Sequence, residues 1–358
     1  MPQPTMSDVH VNALLTDMSA MYSQDQTNFI ARDVFPIVPV SKISDRYAVY
    51  SRADFNRNQM AKRAPGTTVH NIGYRIDNAS YLCDVWALGK PIDDQIRANA
   101  DSVFNLDLEA TRLLTTQSLI NREYMWFSAF FVPGIWSNMW TGGATASGAY
   151  PTAPATSPAS SYTFVKWSLA NSTPIQDIRQ LASIVQLTTG FRPNRMVIGR
   201  QVYDMLLDHP QTVDRVKYGA TSAEPAKVTL DALASLFEMN RIHVAQAIYN
   251  TSSELAGPNS GAAYVPPGYN VGVNAGEANS FFAGANVWIG YTPEAPGLMT
   301  PASGYTFAWT GYLGATEGGE RISSYYFQPD RSTHVEIESA YVHKIVSADM
   351  GGFLQSVI

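Results

Sequence analysis

The sequence predicts an α+β chain organised around one long helix. Three observations predict it. Residues 106–131 form an uninterrupted helical pattern without Gly or Pro, strand-like alternation precedes and follows it, and a run of small residues and proline at 141–161 separates it from a second unit of alternating helix and strand signals.

In the helix, Leu106, Ala110, Leu113, Ile120, Tyr124, Phe127 and Phe131 recur at the 3–4 spacing that shares one face. Asn99, Asp101 and Ser102 are candidate N-caps, Asp107 and Glu109 suit the positive end of the helix dipole, and Pro133-Gly134 stops it. At 1.5 Å per residue it spans on the order of 40 Å, long enough to act as a backbone for separate pieces.

Before the helix, residues 9–29 carry a short amphipathic pattern (Val11, Leu14, Leu15, Met18, Met21, Tyr22), and Phe35-Pro36-Ile37-Val38-Pro39-Val40 is extended because each proline disfavours helix before it. Such an arm has little core of its own. Its apolar side chains need a surface, in the same subunit or on a neighbour. Residues 45–55 alternate as a strand, a polar turn follows at 56–59, and after the break at 64–67 the segment 69–88 holds two more short strands. This β-rich excursion carries Arg46, Arg52, Arg57, Lys62 and Arg63 against Asp45 and Asp54, a basic tip on an acidic chain. It reads either as a solvated hairpin or as an arm reaching over the acidic surface of another copy.

After the helix, 141–161 is too poor in apolar area to offset the entropy of ordering and reads as a surface loop or linker. Residues 162 onward open a second unit. Ser172-Thr173-Pro174 starts a helix whose face is Ile175, Ile178, Leu181, Ala182 and Val185, ending at Gly190. Strand at 195–198, helices at 202–208, 213–217 and 230–237, and strand at 241–249 make this unit α/β-like. Residues 250–284 are dominated by Gly, Pro, Asn, Ser and Ala. Strands return at 287–291, 306–313, 321–327 and 333–346, and 349–352 turns before an apolar tail at 353–358.

Composition narrows the function. The 358 residues suffice for two or more domains, and a net charge of −6 argues against a surface built to hold a phosphate backbone. Cys83 is the sole cysteine, which excludes an internal disulfide or a thiolate zinc site and fits a reducing compartment. The N-terminal stretch has no signal-peptide pattern, and no apolar run reaches the length of a membrane span. No catalytic constellation is found. His334, Glu336 and Glu338 share a strand face as a facial metal site would, but the same spacing describes a half-solvated strand. The glycine-rich run 311–319 lacks the lysine and Ser/Thr of a P-loop, and Cys83 sits in an apolar strand. Of Trp126, Trp136, Trp140, Trp167, Trp288 and Trp309, most fall at core-facing positions, although exposed aromatics would also suit a carbohydrate surface.

The order of arm, β-rich loop, long helix, compact domain and returning strands resembles the major capsid proteins of tailed bacteriophages, with the Hong Kong 97-type fold. Residues 31–55, 167–210 and 335–352 carry the resemblance. The middle one combines Trp167, the Ser-Thr-Pro start, Gly190 followed by Pro193-Asn194, and His209-Pro210. The resemblance implies an N-terminal arm (1–44), an extended loop (45–89), a peripheral domain with the spine helix (90–140), a linker and axial domain (141–320), and C-terminal strands completing the peripheral domain (321–358). It implies a non-enzymatic structural protein without cofactor. Copies of the chain would form the hexamers and pentamers of an icosahedral shell that encloses DNA without sequence-specific binding and without a membrane. No long charged helical segment precedes the arm, so a separate scaffolding protein is expected, with a portal and decoration proteins as further partners. The expected location is the virion capsid, assembled in the host cytoplasm. The inter-subunit contact candidates are Arg46, Arg52, Arg57, Lys62 and Arg63 on the loop and Arg112, Thr116 and Glu123 on the helix. An encapsulin-like nanocompartment shell and a non-shell carbohydrate-binding protein are the alternatives.

Overall fold

Two mixed sheets lean on one helix, which joins their cores. The computed structural model describes residues 24–100, 105–148, 151, 162–217, 228–251, 279–297, 300–313 and 318–358. In chain order the first half holds α1 (Ala31–Val34), β1 (Ile37–Val40), β2 (Ser44–Tyr50), α2 (Arg52–Phe55), β3 (Ile76–Leu82), β4 (Asp84–Asp93), α3 (Asp94–Asn99), α4 (Leu106–Phe130) and β5 (Asn138–Gly143). Next come β6 (Thr163–Val165), α5 (Pro174–Thr189), β7 (Arg195–Gly199), α6 (Arg200–Asp208), α7 (Pro210–Lys217), α8 (Leu230–Phe237), β8 (Arg241–Ala245) and β9 (Ile248–Asn250). The last are β10 (Asn279–Phe281), β11 (Val287–Gly290), β12 (Gly304–Trp309), α9 (Thr310–Leu313), β13 (Glu320–Phe327), β14 (Ser332–Ile345) and β15 (Gly351–Gln355).

The five-stranded sheet is built on β14. One edge pairs with β13 and then β12, the other with β4 over ten positions from Ser332 opposite Asp93 to Tyr341 opposite Asp84, and β1 joins parallel to β12. Val335 and Ile337 meet Ala110 and Leu114 of α4. The six-stranded sheet runs β6, β5, β15, β11, β7, β8. Its strands are apolar on both faces because both are covered. Met196, Ile198, Val287, Ile289 and Leu354 face α5, through Ile175, Ile178, Leu181 and Ala182. Their alternates Val197, Trp288 and Phe353 pack with Trp126, Phe127, Phe130 and Phe131 of α4. The C-terminal half of α4 also meets the five-stranded sheet, through Asn121, Arg122 and Phe130.

The α+β class, the long helix and the helix after Thr173 agree with the sequence reading, and Gly190 closes α5 with φ 82°. Several boundaries do not. Asn105 is the cap of α4, its side chain accepting from the Leu108 N–H at 3.1 Å; of the expected caps, Asp101 and Ser102 lie outside the described residues. The buried stripe is rotated from the expected one: Leu113 and Tyr124 are 42% and 50% exposed, while Leu114, Ser118, Arg122, Glu123, Trp126 and Phe130 are buried. Polar partners from distant segments decide that face. The amphipathic pattern of 9–29 lies largely outside the described residues, but Phe29, Ile30, Ala31, Val34 and Phe35 are buried against this chain's own α4, so this part of the arm is internal.

Residues 141–143 of the expected linker belong to strand β5, and the glycines of the turn expected at 349–352 open strand β15, while 149–150 and 152–161 lie outside the described residues. β5 runs into the 141–161 segment because a Cβ at Gly142 would overlap the Ser356 carbonyl, and β15 needs Gly351 because a Cβ there would overlap the Trp136 ring. Within 69–88, β3 begins only at Ile76, and β4 continues past 89 into the five-stranded sheet. The strand expected at 241–249 breaks at Gln246 and Ala247, and 306–313 turns helical after Trp309.

Candidate functional site

The excursion before α4 is an antiparallel hairpin, β2 against β3, with Tyr47 opposite Ala79. Its root is fastened to the five-stranded sheet. Tyr81 stacks on Phe307 with centroids 4.5 Å apart and planes 9° apart, Tyr47 lies 5.6 Å from the same ring, and the Cys83 N–H donates to the Ile43 carbonyl at 2.8 Å. Burial pushes the Cys83 thiol up to about 11, which keeps it a packed side chain and not a nucleophile.

Beyond the root, Asp54 accepts from the Arg75 N–H at 3.0 Å and Nε at 3.4 Å, bringing Tyr50, Phe55 and Tyr74 into one ring cluster with centroids 5.7–6.0 Å apart. Phe55 and Tyr74 are 53% and 58% exposed, and Met60 is 95% exposed. This apolar knob was not picked out from the sequence. Its signal was weak, because Phe55, Met60, Ile72 and Tyr74 share no period. Residues 45–75 hold six cations and two carboxylates, net +4, on a chain of net charge −6, so the remainder carries −10.

The named cations divide. Arg46, Arg57, Lys62 and Arg63 are exposed, and among the described residues no carboxylate lies within 4 Å of them; Arg63 Nε donates to the Thr67 carbonyl at 2.7 Å. Arg52 is engaged within its own chain, 2.6 Å from Asp349, and ties the loop to the turn before β15. Both side chains are over a third exposed, so that pair contributes well under ~1 kcal/mol. On α4, Arg112 is exposed, and Thr116 donates its hydroxyl to the Arg112 carbonyl at 3.0 Å.

Glu123 is a correction. It is 0% exposed and faces the arm, its carboxylate accepting from the Ile30 N–H at 3.1 Å and the Ala31 N–H at 2.9 Å. A neighbouring subunit has no access to it. Burial pushes its pKa up to about 7 against the opposing effect of these two hydrogen bonds. Arg122 is buried too, donating to the Gly318 carbonyl at 2.6 Å, pairing with Glu320 at 3.2 Å and lying 4.4 Å from the centre of the Tyr341 ring.

The remaining polar clusters serve packing. Ser172 Oγ and His209 Nε2 are 2.9 Å apart, which suggests a nucleophile and base, but His209 Nδ1 accepts the Gln211 N–H at 3.2 Å. The Nε2 nitrogen therefore carries the proton and donates to Ser172, the wrong direction for activating a hydroxyl. Glu338 is paired with Arg321 at 2.6 Å and Glu336 accepts the Tyr325 hydroxyl at 2.6 Å, so the strand face with His334 is tied into β13. Five of the named tryptophans are buried, and Trp309 is half-buried, stacked on Tyr312 at 5.0 Å. No helix among the described residues is long and apolar enough to cross a membrane.

No protein-family model matches the chain. A curated relative, the major capsid protein of Burkholderia phage BcepMu, is 27% identical over 262 residues, covering 72% of this chain and 76% of that protein. Among solved structures, a phage-related protein from Bordetella bronchiseptica RB50 superposes with a TM-score of 0.61 at 18% identity, covering 93% of each chain. The mature capsid of bacteriophage PhiM1 gives 0.57 at 13% identity, covering 97% of this chain and 92% of that one. The capsid of cyanophage P-SCSP1u gives 0.58 at 9% identity, covering 98% and 93%. The chain has the fold of phage capsid proteins, and its sequence is similar to that of a phage major capsid protein. In this fold α4 is the spine, and the hairpin, rooted on Phe307, carries exposed cations and an exposed apolar knob.

Proposed function

We propose that the chain is a major capsid protein that closes an icosahedral shell around packaged DNA by laying its 44–82 hairpin on a neighbouring copy, with the six-stranded unit turned towards fivefold and sixfold positions. One observation carries this reading: a hairpin anchored at its root presents exposed Arg46, Arg57, Lys62 and Arg63, with no carboxylate within 4 Å of them among the described residues, beside exposed Phe55 and Tyr74, in a chain that is otherwise strongly acidic. Cations facing the carboxylates of another copy gain affinity and orientation, and rings buried in the contact supply the apolar area. Arg112 on the spine is a second contact. The kinship to a phage major capsid protein supports a genome shell over a nanocompartment with enzyme cargo. A separate scaffold, a portal, decoration proteins and assembly in the host cytoplasm belong to the same reading.

The test is the triple variant Arg57→Glu, Lys62→Glu and Arg63→Glu, imaged by electron microscopy after expression with the other head proteins. Folded, soluble subunits with few or no shells are expected. Normal shells at both low and high salt refute the role given to the basic tip. Nucleic acid in the contents of wild-type particles is expected; particles filled only with protein refute the genome-shell reading.

A further inference from the structure

The first turn of the arm is fastened to the spine by a carboxylate that has no cation partner. Among the described residues no Lys, Arg or His nitrogen lies within 4 Å of Glu123, and its hydrogen bonds are those from the Ile30 and Ala31 backbone N–H groups. Arg122, the next residue in the chain, turns to the other side and spends its charge on Gly318 and Glu320. The arm residues Ile30, Ala31, Val34 and Phe35 pack with Trp126, Phe127 and Phe130 in one apolar cluster, so the same contact that positions the arm keeps water from the carboxylate.

We propose that Glu123 is a protonation latch: in its neutral form it holds residues 29–35 on the spine firmly, and on ionising it loosens them. An ionised carboxylate in this dry site keeps its two N–H donors, yet lacks the hydration it would recover if the arm lifted. The charged groups around it do not relieve the cost. Asp33, on the arm itself, adds a second negative charge. Arg32 of the arm pairs with Glu320 at the start of β13, which Arg122 of the spine shares, and Arg195 of β7 donates to the carbonyls of Asp33 and Val34.

The direction follows from linkage. With the arm seated the group titrates near 7, and with the arm lifted it returns towards its ordinary 4.5. Docking is at full strength below about 4.5, weakens as pH rises between the two values, and is weakest above 7. Between pH 5.5 and 8.5 the lifted fraction rises about 30-fold on these two values.

The test is hydrogen exchange of the full, unassembled chain, followed by mass spectrometry on peptides covering 29–40, with rates corrected for the intrinsic pH dependence and α8 as internal reference. The expected result is an increase of about 30-fold in the opening of this segment between pH 5.5 and 8.5, with α8 unchanged, and a flat profile in Glu123→Gln, which keeps an acceptor for the N–H groups without titrating. A wild-type segment whose opening does not change with pH, or a Glu123→Gln variant that changes as much as wild type, overturns the latch. Should Glu123→Gln fail to fold, Asp33→Asn at the exposed Asp33 supplies the check, because removing its charge must move the transition to lower pH; an unmoved midpoint also overturns it.

Discussion

Replacing Arg122 by methionine tests whether a buried charge is a support or a burden in this fold. The guanidinium is 2% exposed and makes three interactions: a charge-assisted bond to the Gly318 carbonyl, a pair with Glu320, and a cation–π contact with Tyr341. The first is worth about 2 kcal/mol and the ring contact about 1–2. The ion pair adds ~1 at most, since Glu320 is 20% exposed and keeps Arg32 after the substitution. Against this stands the cost of burying a cation whose Nε and Nη1 have no partner, about 1–3 kcal/mol. Methionine fills much of the same volume and its thioether can rest on the Tyr341 ring, so packing loss is small. The balance is a destabilisation of about 2 kcal/mol, rising to about 4 for Arg122→Ala, which also opens a cavity. The assay is the urea midpoint of the unassembled chain followed by tryptophan fluorescence. A methionine variant as stable as wild type, or more stable, shows that desolvation outweighs the three contacts and refutes the reasoning.

Three further outcomes are expected. His243 and His343 are held neutral by burial, each pushed down to about 3, so stability they support above pH 6.5 is lost as pH falls towards 3. Glu123, raised to about 7, and Asp177, raised to about 6, act in the opposite sense, being fully supportive at low pH and losing that support as pH rises. Wild-type stability is therefore nearly flat between about pH 4.5 and 6 and falls below about 4, whereas the double variant Glu123→Gln, Asp177→Asn begins to fall near 6; thermal melts across this range check it. Gly351→Ala forces a methyl into the Trp136 ring and costs about 1–3 kcal/mol, seen as a lower urea midpoint, with wild-type stability as the contrary result. Phe55→Ser with Tyr74→Ser leaves the melting temperature within a few degrees of wild type, since both rings are over half exposed, but depresses shell yield in electron micrographs.

Local order was legible where the cause is local. The Ser-Thr-Pro start and Gly190 stop of α5 act within a few residues, and so does the alternation that sets β13 and β14. The candidate site was half legible. Charge along 45–63 marks the basic hairpin without any structure, but whether each arginine is free depends on what folds beside it, and Arg52 meets Asp349 from almost the far end of the chain. Glu123 illustrates the same limit. A glutamate in a long helix has no sequence signature of burial, and it is buried because the arm, 92 residues away, brings its N–H groups to it.

What the sequence by itself determined is the order and kind of the pieces: arm, basic hairpin, unbroken spine, α/β unit and closing strands. Propensity, period and capping operate over one or two turns and are encoded residue by residue. Only the tertiary structure decided how those pieces share their surfaces. Glycines 142 and 351 look like breaks in a string of letters, yet they allow β5 and β15 to approach the Ser356 carbonyl and the Trp136 ring in a packed sheet. Which face of the spine is buried, and which cations are left without a carboxylate, follows from contacts between segments far apart in the chain, whose cost and gain exist only after the sheets have closed on α4.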